Sequence, residues 1–162
     1  MSFPEAFRFI PIIQKTSQKK NIDVFLVGGA VRDVFLGRPC QDFDFAVEKQ
    51  AGSLAQNFAR DIHGAFVLLD EEHQCYRVVK KDKGHAYTFD FADFRASSLA
   101  GDLSHRDFTI NVLVMDVSRF DPQGNPLDLV GDPKGGMGDL NNRRVRMVSE
   151  NSFREDPLRL LR

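Results

Sequence analysis

Two aspartates one residue apart, Asp42 and Asp44, are the side chains in this sequence best suited to do chemistry. On a strand, positions i and i+2 face the same way, so both carboxylates project side by side while Phe43 turns inward. Carboxylates that close repel and raise each other's pKa unless a cation sits between them. Mg2+ suits such a pair, because it takes one or two carboxylates together with substrate phosphate oxygens. A metal site of this kind can activate a 3′-hydroxyl and stabilise a leaving pyrophosphate during in-line attack on an α-phosphate. Asp-x-Asp triplets are also common in solvated strands and turns, so the surroundings must decide.

The surroundings favour a phosphate ligand. Val24 to Val27 is a short apolar run, read as a buried strand, and it breaks at Gly28-Gly29. Two glycines let the backbone turn sharply and approach a ligand, and the following helix from Ala30 to Leu36 begins with free N–H groups. Arg32 lies one turn into that helix, within reach of a triphosphate. An ordinary strand-to-helix turn with an exposed Arg32-Asp33 pair would read the same way. The spacing is not that of a G-x-G-x-x-G dinucleotide site.

The elements that must hold these residues alternate between strand and helix patterns. A helix bent or interrupted by Pro11 is expected between Phe3 and Lys20, and a strand from Phe43 to Val47. Ala51, Leu54, Ala55, Phe58, Ala59 and Ile62 follow helical spacing and stop at Gly64, the clearest amphipathic helix in the chain. Ala65 to Leu69, Cys75 to Lys80 and Ala86 to Phe94 read as strands, the last two joined by a turn at Asp82-Lys83-Gly84. Asp107 to Asp116 is expected to begin as helix and end as strand, and residues 121 to 142 to form an irregular connection. Helical spacing from Phe153 runs to Arg162 without a cap, which predicts a longer protein. The fold class expected is α/β (α+β), a small mixed sheet flanked by helices.

The 162 residues suit one compact domain, and 42% apolar with 28% charged residues sits close to globular averages and does not indicate disorder. A net charge of −1 is not the footprint of a strongly basic nucleic-acid binder, so any grip on RNA must be local or lie elsewhere. Cys40 and Cys75 lack metal-ligand spacing and are expected as reduced thiols. The histidines at 63, 73, 85 and 105 also lack ligand spacing and are expected at the surface, like the Lys80-Lys81-Asp82-Lys83 turn. Without a signal-like opening or a run of transmembrane length, the chain is expected to be soluble and cytoplasmic.

Leu26 to Phe45, LVGGAVRDVFLGRPCQDFDF, resembles the first signature of the class II tRNA nucleotidyltransferase and bacterial poly(A) polymerase family, within the polymerase-β-like superfamily. Arg106-Asp107-Phe108-Thr109-Ile110-Asn111 resembles its second motif, with His105 where the family usually has another arginine. Asp128 to Val148 resembles the hinge segment, and Glu155 to Arg162, EDPLRLLR, the base-recognition motif. The resemblance implies Asp42 and Asp44 as metal ligands for Mg2+, and Gly28, Gly29, Arg32, Arg106 and Asp107 around the nucleotide. It implies Asp156 and Arg159 at the base edge and Arg162 toward the phosphates. Asp90 is the candidate for a third catalytic carboxylate, with Asp93 behind it and a solvated strand residue as the competing reading.

Residues 1–148 are then expected as a nucleotidyltransferase head and 149–162 as the start of a helical neck whose RNA-binding continuation is absent. The implied reaction adds CMP or AMP from CTP or ATP to the 3′ end of tRNA, releasing pyrophosphate. Poly(A) addition is the first alternative. CC-only addition is a second, because residues 96 to 101 are too few for a loop that swings across the site. A nucleotide-binding regulatory module is the non-enzymatic rival, against which two intact metal-ligand positions argue.

Overall fold

The computed structural model describes residues 3–155 and 157–161, with backbone alone at 155, 160 and 161. A 3-10 helical turn, Glu5–Phe9, leads into α1 (Ile10–Lys20). Pro11 occupies the first turn of α1, where a missing N–H breaks no hydrogen bond. The proline therefore starts the helix instead of bending a longer one.

Next come β1 (Val24–Val27), α2 (Gly29–Phe35), β2 (Asp42–Val47), α3 (Ala51–Ile62), β3 (Ala65–Asp70), β4 (Cys75–Asp82) and β5 (His85–Asp93). The rest of the chain supplies α4 (Leu99–Ser104), β6 (Val114–Asp116), β7 (Val130–Gly131), α5 (Gly136–Asn141) and α6 (Glu150–Glu155). The strands form one mixed sheet in the order β3-β4-β5-β2-β1-β6-β7. β2 runs parallel to β5 at its centre, and every other neighbouring pair is antiparallel.

The sheet's two faces divide the labour. Phe43 and Phe45 of β2 stack on Phe89 and Phe91 of β5, with ring centroids 5.2 and 4.9 Å apart. Phe58 of α3 meets Phe89 and Phe91 edge-on at 5.0 and 5.6 Å. Such aromatic pairs add about 0.5–1.5 kcal/mol each beyond the area they bury. All six residues that gave α3 its expected periodicity are buried, as are Tyr87, Phe89 and Phe91 on alternate positions of β5. The opposite face of β2 and β5 carries Asp42, Asp44, Thr88 and Asp90. A smaller cluster of Val27, Ala46, Leu103 and Val112 closes the far end of that face.

Two expectations need correction. Residues from Asp107 do not begin an α-helix. Thr109–Asn111 is a 3-10 turn, and the helix lies upstream as α4, whose Ser98 side chain accepts from Gly101 N. Thr109 N donates to Arg146 O and Val148 N to Asp107 O, both at 2.9 Å, so this backbone is already committed to a neighbouring segment. The C-terminal helical spacing resolves into α6 followed by a 3-10 turn at Pro157–Leu161.

At the sheet's edge, β3 leaves Phe66, Val67, Leu68 and Leu69 exposed. The turn after β4 is tied down, because Arg8 pairs with Asp82 and Lys83 with Glu5. Both cysteines are free thiols. No described helix is long and apolar enough to cross a membrane.

Candidate active site

β2 places Asp42 and Asp44 on the open face because Phe43 and Phe45 are claimed by the core on the other. In register, Asp44 lies between Val27 of β1 and Asp90 of β5. Asp42 lies opposite Thr88, whose hydroxyl donates to its Oδ1. Water reaches the surface of Asp44, yet protein atoms crowd it. This desolvation raises its pKa, with Arg106 opposing and Asp90 and Asp42 adding to the rise.

A cleft of about 430 Å³ opens over this face, lined by Gly28, Gly29, Arg32, Asp44, Asp90, Arg106, Asp107 and Arg159 among others. A second, adjoining cleft includes Asp42 and shares Gly29, Arg32 and Asp44 with the first. Residues expected from four separated segments are thus brought to one place. Asp156 and Arg162 lie outside the described residues.

Gly28 has φ +74° and ψ −135°, a backbone region that is essentially glycine's alone. A Cβ there would come within 3.4 Å of Arg106 Nη1 and 3.6 Å of Asp44 Oδ2. The glycine therefore lets β1 break directly beside the two charged groups. Behind it, Arg32 Nη1 donates to Asn111 Oδ1 at 2.9 Å, and Asn111 Nδ2 donates to Asp107 Oδ1 at 3.0 Å. Arg32 Nε also pairs with Asp33 at 3.1 Å. Arg159 is buried, with Nη1 donating to the carbonyls of His105 and Ser152 at 2.6 and 2.8 Å.

Arg106 is the least satisfied member. Its Nε is buried without a hydrogen-bond partner among the described residues, and its nearest carboxylate, Asp102, is 3.8 Å away. Burial lowers its pKa, although Asp102 and Asp44 pull the other way. A buried donor left unpaired costs about 1–3 kcal/mol, which an anionic ligand can return.

Asp90 has a partner that sequence reading missed. Arg77 of β4 donates from Nε and Nη2 to its two carboxylate oxygens, each at 2.7 Å. Among the described residues no group of three His, Cys, Asp or Glu side chains is placed to share one metal ion. Asp42 and Asp44 offer only carboxylate oxygens, the donor type a hard divalent cation takes. Asn111, within the second motif, also went unassigned. His105, expected at the surface, is half-buried and lines the larger cleft.

The poly A polymerase head domain family matches residues 24–146, which include β1, α2, β2 and β5 around the two aspartates. This chain belongs to that family. Among curated relatives of this head domain is the CC-adding tRNA nucleotidyltransferase of Geobacter sulfurreducens. It is 37% identical over 93% of the chain and 33% of the relative. A solved CCA-adding enzyme with ATP superimposes with TM-score 0.80 at 30% identity, over 97% of this chain and 37% of that one. The Thermotoga maritima CCA-adding enzyme complexed with tRNA_CCA gives TM-score 0.79 at 32% identity, over 98% and 36%. The chain spans about a third of the length of the curated relative it matches.

Proposed function

We propose that this chain is the catalytic head of a template-independent nucleotidyltransferase that adds CMP and AMP from CTP and ATP to the 3′ end of tRNA. The observation that carries this is the convergence of Asp42 and Asp44 on one open sheet face beside Gly28, Arg32 and Arg106. The relatives' CCA- and CC-adding activities, and the ATP and tRNA bound in solved relatives, support it.

In this reading Arg32 and Arg106 hold the triphosphate, and the buried Arg106 Nε gains the acceptor it lacks. Asp107 and Asn111 keep Arg32 aimed through their hydrogen-bond chain. Arg159 and Asp156 are assigned to the base, because a donor and an acceptor together can match the edge of cytosine or adenine. The RNA 3′-oxygen bonds to the α-phosphorus as its proton leaves and the bond to pyrophosphate breaks. A divalent ion such as Mg2+, held by Asp42 and Asp44, would lower the charge barrier to that exchange. Residues from 149 onward are read as the start of a neck leading to an RNA-binding region, and the setting as the cytoplasm.

A CC-only enzyme is the second reading. Arg95 N donates to Asp102 Oδ1 at 3.0 Å, and Ser98 caps α4 at once, so the connection between β5 and the second motif is short and pinned. A switch of nucleotide needs an element with two arrangements, which this is poorly built to supply. The deciding assay gives the full-length protein a tRNA ending in CC, with ATP alone. Efficient addition of A establishes CCA synthesis, whereas CMP addition to a shorter tRNA without A addition establishes the CC-only enzyme. Poly(A) addition would show instead as long tails on RNA that is not tRNA.

A further inference from the structure

The carboxylates of β2 have two flanks, and the triphosphate reading uses one. On the β1 flank stand Gly28, Gly29, Arg32 and Arg106, all in cleft walls. On the other flank Asp90 lies opposite Asp44, and Arg77 lies opposite Asp90. Arg77 spends Nε and Nη2 on the two oxygens of Asp90, which fixes the plane of its guanidinium. Its Nη1 has no partner among the described residues, and the side chain is 39% exposed. Arg77 borders neither cleft, and its cross-strand neighbour Val67 is exposed on the edge strand. A fixed cation therefore stands next to Asp90 but outside both clefts, where the triphosphate reading puts the nucleotide.

We propose that Arg77 is a positioning residue for the RNA, its Nη1 edge binding a phosphodiester near the 3′ end, with Asp90 as the anchor that aims it. This rests on the nucleotidyl-transfer reading above. In phosphoryl transfer the entering and leaving oxygens lie roughly in line across the phosphorus. With the triphosphate on the β1 flank, the pyrophosphate leaves on that side, so the attacking 3′-hydroxyl arrives over β5 and β4. There the RNA's own phosphates meet the charges of Asp42, Asp44 and Asp90. A guanidinium edge compensates that repulsion and fits two phosphate oxygens at a set angle. Asp90, absent from any three-membered ligand set, is then explained as the partner that stops Arg77 from swinging.

The test uses the full-length protein, a tRNA transcript lacking its CCA end, and CTP. Arg77→Ala is expected to raise the KM for tRNA about tenfold while the KM for CTP stays within about twofold. In chelator, with no metal present, fluorescence anisotropy should show the same loss of tRNA affinity. The slope of log affinity against log salt should fall by about one, as for one lost phosphate contact. Arg77→Lys should recover part of the affinity, because an ammonium keeps the charge but cannot grip both Asp90 and phosphate. That variant also decides the matter if Arg77→Ala fails to fold. Unchanged tRNA binding in the variants, or a CTP KM rising in step with that for tRNA, overturns the assignment. A parent protein that transfers no nucleotide overturns the proposed function itself, and this inference with it.

Discussion

Arg77 and Arg106 both act on Asp44 through their charge, from opposite flanks, and are held in opposite ways. Arg106 is sunk behind Gly28, its pKa pulled down by burial and its Nε without an acceptor among the described residues. Arg77 stands near solvent, and its pKa is pushed up, first by its hydrogen bonds to Asp90. A desolvated cation short of partners gains most when an anion arrives, because the cost of burial has already been met. An exposed, paired cation gains less and serves better as a fixed guide, since exposed pairs contribute only about 0–1 kcal/mol. In the proposed reading, burial thus separates a group that would grip from a group that would aim.

The largest effect expected comes from removing what both arginines surround. Asp42→Ala or Asp44→Ala should lower nucleotide transfer by about 10³-fold, on the order of 4 kcal/mol, with circular dichroism unchanged. Near-normal turnover with Mg2+ in either variant would reject the pair as metal ligands.

Arg106→Met sharpens the contrast between the two cations. It should lower kcat/KM for CTP about 10²-fold, while the thermal midpoint holds or rises, because a buried and poorly paired charge has been replaced by an apolar chain. A lower midpoint with unchanged CTP kinetics would make Arg106 a structural residue instead.

The smallest effect concerns the backbone that carries Arg106. Asp139 is buried against the second motif and accepts from Thr109 Oγ1 at 2.6 Å and Arg146 Nε at 3.0 Å. The hydrogen bonds from Thr109 and then Arg146 hold its pKa below the usual 3.8. A carboxylate depressed on folding contributes stability above its unfolded pKa and loses it as pH falls through the folded value. Asp139→Asn should therefore melt below the parent at neutral pH, and the gap should close as pH drops below the ordinary carboxylate range. A gap independent of pH would show that the carboxylate's charge contributes nothing.

What could be read ahead of the structure was periodic. The apolar spacing of α3 and the alternation in β5 mark buried faces directly, because period and packing are the same fact. The i, i+2 geometry of Asp42 and Asp44 also follows from the strand alone. α4 was missed because it spans six residues, with Gly101 inside it and too little length for a period. Its Ser98 cap was the available signal. The helix expected from Asp107 failed because Arg146 and Val148 claim that backbone, a pairing between distant segments.

Arg77 was missed for another reason, since its partner is set by cross-strand register. The signal was nonetheless present. Asp82 faces His85 across the turn at Lys83-Gly84, and equal steps back along both strands bring Arg77 opposite Asp90.

The parallel pairing of β2 with β5 has a consequence for how the molecule comes into being. Parallel neighbours cannot be joined by a tight turn, so the chain from residue 48 to 84 passes through α3, β3 and β4 before it returns as β5 beside β2. Hairpins such as β4–β5 close locally and early, whereas this long closure loses more chain entropy before its contacts repay it. Asp42 and Asp44 leave the ribosome well ahead of Thr88 and Asp90, and their strand must wait for them. The face that carries Asp42, Asp44 and Asp90 therefore depends on a non-local pairing, and a chain in which β2 and β5 are unpaired has no intact candidate site.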